Sequence, residues 1–249
     1  MRMQDKGRQP KSTAPGDDAA GNPGPRRPAR VQRADGETTY NRILEIAGAR
    51  FAAKGFATTT NKEIAAEAGV DLASINYHFD NRSGLYRAVL AEAHRRLIDV
   101  KDLDRLMARD IPAAQKLRSL IGLVVQGALG ELAWPVVVLG REILSPSAYL
   151  QAFQQEELLP KLRILLPMLS EITALPPDDP ALTRCVPCIL APCVMTTLLA
   201  RNSTAASGLP FNSSRELMVD HLYLYAMGGL QAIGRAAPGA SQLPEGSAR

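Results

Sequence analysis

Between Gly55 and Tyr86 the chain reads GFATTTNKEIAAEAGVDLASINYHFDNRSGLY, and closely spaced helix signals leave this stretch little freedom. Thr60 followed three residues later by Glu63 is a pairing in which each side chain satisfies a backbone N–H of the other, so a helix is expected from Asn61. Gly69 stands where a helix can end in a left-handed residue, and Val70 then turns inward. Asp71 supplies a cap for a second helix, and Asn81 one for a third. Ile64, Ala65 and Ala68 give the first of these helices its apolar side. Leu85, Tyr86, Val89, Leu90, Ala93 and Leu97 recur at helical spacing through the third. Upstream, Ile43, Leu44, Ala47 and Phe51 mark a further amphipathic helix that Gly55 ends. Two short helices at a tight turn, followed by a third, form an arrangement that can lay one helix in the major groove of DNA.

Periodicity sorts the middle helix into two faces. Ile75 and Phe79 lie four apart on one side and are expected to pack inward. Leu72, Ala73, Asn76 and Tyr77 are left on the other. A side-chain amide such as Asn76 can read an adenine edge through paired hydrogen bonds, and Leu72 and Ala73 suit a thymine methyl. Thr60, Tyr77, His78 and Arg82 are expected to hold phosphates, which fixes register without reading sequence. Arg82 also falls at a helix N-terminus, which favours an anion. Asp71, the cap of this helix, completes the set of candidate DNA-contacting residues.

Residues 40 to 90 resemble the DNA-binding domain of the TetR family of bacterial transcriptional regulators. The glycine after the upstream helix, the Thr60 cap, Ile64-Ala65, Ala68-Gly69-Val70 and Tyr77-His78-Phe79 stand where that family has them. Asp71 takes the place of the commoner serine cap. Asn76 replaces a tyrosine that many members carry. Arg82 and Gly84 replace the usual lysine and acidic residue, which keeps the positive charge but weakens that helix start. The resemblance implies a second, helical domain that binds a small molecule and pairs two subunits. A shorter stretch, GREILSPSAYLQAF, resembles the Arg-Glu-x-x-x-Pro-Ser element of the CecR-like branch.

The second half of the chain agrees with an all-α fold. Asp110 and Pro112 mark a helix start. Helices are expected over 113–132, over VVVLGREIL up to Ser145-Pro146, over 148–174 with bends at Pro160 and Pro167, and over 181–202 and 213–235. Bulky apolar residues on helices that break and bend, with a few polar groups among them, suggest a ligand cavity. Gln126, Trp134, Leu139, Glu142, Tyr149, Phe153 and Met168 are its candidate lining, with Arg141 at its rim. Met218, Leu222, Tyr225, Gly229 and Ile233 form an apolar stripe on the last helix, where a homodimer contact is expected.

Four regions follow: a basic tail over 1–36, a helix-turn-helix domain with its connecting helix over 37–101, a ligand-binding and dimerisation domain over 102–236, and a C-terminal tail over 237–249. The first tail carries eight Lys or Arg against four Asp, a difference equal to the formal net charge of +4. Rich in Pro, Gly and Ala and without apolar periodicity, it reads as disordered. It also lacks the apolar run of a secretory signal, so a cytoplasmic protein is expected.

Other functional classes find less support. Residues 120–140 form a long apolar run, but Glu131 and Pro135 within it favour two buried helices over a membrane span. No phosphate loop, His-Glu-x-x-His or Gly-x-Ser-x-Gly occurs, so neither enzymatic chemistry nor a cofactor is expected. The spacing of Cys185 and Cys188 suits a thiol sensor. With no second cysteine pair and no histidine at ligand spacing, zinc is not expected. The reading that unites these features is a homodimeric regulator of operator DNA, released by a small-molecule effector. The alternatives are a constitutive DNA-binding regulator and one that senses oxidants through Cys185 and Cys188.

Overall fold

A computed structural model describes residues 29–130, 133–202 and 214–236. The chain divides into two compact units, residues 1–38 and 39–249. Of the first, residues 29–38 are helical, so the tail expected to run to residue 36 gives way to helix at Ala29. Residues 1–28 and 237–249, which hold the rest of the two expected tails, lie outside the described residues, as does Glu131.

Among its described residues the second unit has helices joined by turns and loops, and no strand. Helix α1 (Ala29–Lys54) runs into it, followed by α2 (Asn61–Ala68), α3 (Leu72–Phe79) and α4 (Arg82–Leu97). Next come α5 (Val100–Met107), α6 (Ala113–Ala128), α7 (Trp134–Leu144) and the single turn α8 (Leu150–Phe153). A π-helical turn, Gln154–Leu158, joins α8 to α9 (Leu159–Thr173), and α10 (Pro180–Asn202) and α11 (Arg215–Arg235) complete the order.

Each expected cap forms. Thr60 accepts from the Glu63 N–H while the Glu63 carboxylate accepts from the Thr60 N–H. The N–H of Ser74 reaches Asp71, and that of Gly84 reaches Asn81. Gly69 closes α2 at φ 61°, a left-handed conformation that a side chain would strain.

Two apolar clusters fill the unit. One joins α5 and α6 to α9, α10 and α11 around Leu117, Ile121, Leu169 and Leu182. The other surrounds Phe51, Ile64, Ile75 and Leu90 and takes in Trp134, Val138, Leu139 and Phe153 from beyond residue 101. The helix-turn-helix core therefore does not end at residue 101: it is completed by α7 and α8. Residues 120–140 are split between α6 and α7, and their buried faces account for the apolar run. Helix α10 has a span, Pro180–Arg201, long and apolar enough to cross a membrane. One side of it packs into the first cluster through Leu182, Cys185, Ile189 and Cys193.

Candidate DNA-contacting site

Helix α3 is held from beneath and open above. Ile75 and Phe79 are buried, and Tyr40 stacks on the Phe79 ring at 4.6 Å between centroids. On the opposite face Leu72 is 48% exposed and Tyr77 84%, with Ala73 and Asn76 also exposed. The place of the Tyr77 ring on a capped helix makes it a ready contact. His78 is half-buried, its ring edge-on to Tyr40 and Tyr77.

The other sequence-nominated residues of this face are committed to local structure. Thr60 also donates its hydroxyl to Glu63, and Lys54 donates to the same carboxylate at 2.9 Å. These contacts, led by the Thr60 N–H, hold the Glu63 carboxyl down at about 2. Hydrogen bonds from the Ser74 hydroxyl and then its N–H likewise lower Asp71. The guanidinium of Arg82 turns away from the open face of α3: it donates to the Phe56 carbonyl and lies over the Phe56 ring at 4.3 Å. Lys62, exposed at the start of α2, was not among the sequence candidates. Its place beside the Thr60 cap was the available signal.

Helix α7 clamps this domain from the other side. Arg141 donates to the carbonyls of Ala52 and Ala53 at 2.6 and 3.0 Å, two of the orphan acceptors at the end of α1. Glu142 is 1% exposed and satisfied on both oxygens: the Tyr86 hydroxyl donates at 2.7 Å, and the Ser147 N–H and hydroxyl at 3.0 and 2.8 Å. Burial, then the bond to Glu142, raises the Tyr86 phenol, so it stays a donor. Tyr149 and Ser83 share a hydroxyl contact. The Trp134 N–H donates to Glu45 at 2.9 Å, and its ring covers Gly48, where any side chain would collide with it.

These placements correct the expected ligand cavity. Trp134, Leu139, Glu142, Tyr149 and Phe153 are built into the contact with α1 and α4. Gln126 is exposed and accepts from Arg215, and Met168 lies in the other cluster. The seven do not surround one cavity, because α7 lies along α4 instead of facing α9. Arg141 is likewise engaged with α1 and not at a pocket rim.

The dimer stripe also divides. Met218 and Leu222 are buried in their own subunit's core, and Ile233 packs against it. Tyr225 and Gly229 remain exposed. The open apolar face of α11 is instead Leu217, Leu224 and Tyr225, with Met195 and Leu199 exposed on α10. A hydrophobic stripe of this width on a helix serves two masters, and periodicity alone did not divide them. Cys185 and Cys193 are buried and Cys188 is exposed. Burial raises the thiols of both buried cysteines, that of Cys193 to about 11, away from the reactive thiolate. No metal-binding group of His, Cys, Asp or Glu occurs among the described residues.

An all-α chain with a capped helix-turn-helix, an outward-facing second helix and a larger helical region behind it defines a DNA-binding regulator. Two family models match it. Residues 43–89 match "Bacterial regulatory proteins, tetR family", and residues 113–227 match the C-terminal domain of the HTH-type transcriptional dual regulator CecR. The chain belongs to the TetR family of transcriptional regulators.

Solved structures agree on the fold. A Clostridium perfringens protein described as a candidate fatty acid metabolism regulator aligns with a TM-score of 0.61 at 16% identity, over 76% of this chain and 97% of its own. The fatty acid degradation regulator FadR from Bacillus halodurans aligns with a TM-score of 0.59 at 18% identity, over 78% and 96%. A TetR-like transcriptional regulator from Rhodococcus sp. RHA1 gives 0.53 at 16%, over 80% and 96%. No curated protein matches the chain.

Proposed function

We propose that this regulator is a homodimeric repressor that leaves a partly palindromic operator when a small molecule binds. The exposed face of α3 carries the reading: Asn76 and Leu72 are presented for base edges, with Tyr77 and His78 for phosphates, on a helix anchored by Ile75 and Phe79. Lys62 adds an exposed positive charge two residues after the Thr60 cap. Arg82 acts through Phe56, positioning the loop before α2.

Two copies are needed because one short helix reads too few base pairs, and symmetric half-sites are read about 34–36 Å apart or a multiple of that. The exposed apolar residues of α10 and α11 support pairing of two chains. The α7 clamp supports the switch, since it ties the C-terminal helices to the end of α1 and the start of α4. An effector must bind the released state more tightly than the DNA-bound state to shift the balance. That two structural neighbours are described as fatty acid regulators makes acids and their derivatives sensible first compounds to try.

A footprint of the purified protein on the DNA flanking its own gene, repeated with candidate compounds, tests this reading. A protected symmetric site that opens with one compound supports it. Protection that no compound alters favours constitutive binding. Protection lost only on oxidation favours the cysteine alternative, and no protected site at all rejects the proposal.

A further inference from the structure

Outside the DNA-contacting face, Tyr40, α4, α5, the π-helical turn and the start of α9 line an open cleft of about 480 Å³, within the roughly 300–1,000 Å³ of small-molecule sites. It is distinct from the apolar seam between α6, α9 and α10, which is packed closed and has no room for a water molecule. Ala88, Ala91, Val100 and Pro160 give the cleft apolar walls, and Lys161 is part of its lining.

Lys161 is unusual in three respects. It is only 7% exposed. Its ammonium has three protons to give, yet among the described residues its hydrogen bond is the one to His94 Nδ1 at 2.9 Å. Glu157, one helical turn before it, is its ion-pair partner at 3.7 Å, too long for a hydrogen bond. Since Nδ1 of His94 accepts, that ring is neutral and leaves Glu157 as the charge that faces the ammonium. Burial, with Lys161 adding to it, holds His94 down at about 3.

Two of the other acids in the lining, Glu92 and Asp99, are already matched. Arg95 holds Glu92 at 2.7 and 2.6 Å and approaches Asp99 at 3.5 Å, and Arg96 holds Glu92 from behind at 2.7 Å. Glu156 and Lys101 are both exposed. The deep end of the cleft therefore offers a donor with protons to spare beside apolar walls. A ligand carboxylate would give Lys161 a close acceptor in place of the longer contact to Glu157, which an amine cannot do. A π-helical turn, Gln154–Leu158, forms this edge, and such insertions are frequent at functional sites.

We propose that this cleft binds a small carboxylic acid, with its carboxylate on Lys161 and its apolar body against Ala88, Ala91 and Val100. The site lies between α4, which follows the recognition helix, and α9, joined at present by the Lys161–His94 bond. Drawing Lys161 onto a ligand loosens that bond and alters how α4 is held. This regulatory consequence rests on the effector-released repressor proposed above, whereas binding itself does not.

Calorimetry on the full chain with benzoate and octanoate tests the site, with benzamide, octanamide and octylamine as controls. At least one carboxylate is expected to bind, about tenfold or more tightly than its amide, with no binding of the amine. Lys161→Met and Ala91→Phe, which respectively remove the donor and fill the cleft, should each weaken the carboxylate about tenfold or more. Thermal melts confirm that each variant folds, and because the two act by different routes, one that fails to fold leaves the other as the test. Equal binding of acid and amide, affinity unchanged in the folded variants, or no binding of either acid overturns the proposal. Fluorescence anisotropy with the footprinted DNA keeps the two readings separate. Carboxylate bound without DNA release sinks the switch and leaves the site, while release by a compound that ignores Lys161 does the reverse.

Discussion

Tyr77 and Asn76 sit side by side on the open face of α3, yet they are expected to fail differently when changed. Tyr77 is 84% exposed, so Tyr77→Ala should leave the melting temperature nearly unchanged while weakening binding to all duplexes, as an anisotropy series would show. Asn76→Ala should instead alter sequence preference, flattening discrimination at one base pair by about 1–3 kcal/mol. If competition with single-site operator variants gives the same ranking before and after, Asn76 does not read a base. Glu63 makes a prediction about pH. Its folded pKa, about 2, lies below the ordinary glutamate value of about 4.3, so its contribution is complete above the latter and fades as pH falls toward the former. Urea melts of wild type and Glu63→Gln should therefore differ at neutral pH and converge on acidification through that window. Gly84, which weakens a helix start by propensity, has a reason at this scale too. Asp80 adopts φ 64°, which brings the Phe79 carbonyl into the space that a Gly84 side chain would fill.

Among the elements, α7 carries the unexpected role. Its Arg141 and Glu142 act in opposite directions, one capping α1 and the other receiving a proton donor from α4. Tyr86→Phe removes one donor from a carboxylate that is 1% exposed. A loss of roughly 1–3 kcal/mol is expected, the cost of leaving a buried acceptor short of a partner, and denaturant midpoints would measure it. Helix α6 approaches the end of α4 so closely that a side chain at Gly127 would collide with the Leu97 carbonyl. Gly127→Ala should thus destabilise by about 1–3 kcal/mol despite alanine's better helix propensity. A stabilised variant would show that α4 and α6 can separate without penalty.

At the scale of the whole molecule the open question is what covers α10 and α11. Leu224 and Tyr225 are 68% and 69% exposed, whereas Met218 and Leu222, on the same helix, serve the subunit core. The double change Leu224→Glu with Tyr225→Glu should leave the fold intact and shift the protein toward monomer in light scattering. Operator affinity should fall with it, since a monomer engages one half-site. Changing Met218 or Leu222 to alanine should instead lower stability by about 2–5 kcal/mol, the usual cost of a core cavity. Unchanged mass for the first variant would move the dimer contact elsewhere.

The local signals were legible in the sequence because they are local. Caps at Thr60, Asp71 and Asn81, the turn at Gly69 and the inward pair Ile75 and Phe79 depend on neighbours within a few residues, and all form. The same holds for the all-α class and the resemblance carried by residues 40 to 90. The residues proposed to line a ligand cavity and the dimer stripe depended on which helix faces which. Apolar side chains at helical spacing announce a buried face without naming the surface that buries it. Only the tertiary structure placed Trp134, Glu142 and Tyr149 on the DNA-binding domain, separated Tyr225 from Leu222, and brought Lys161 to His94 across 67 residues of sequence. Helix crossings decide such contacts, and they follow from the packing of the whole chain.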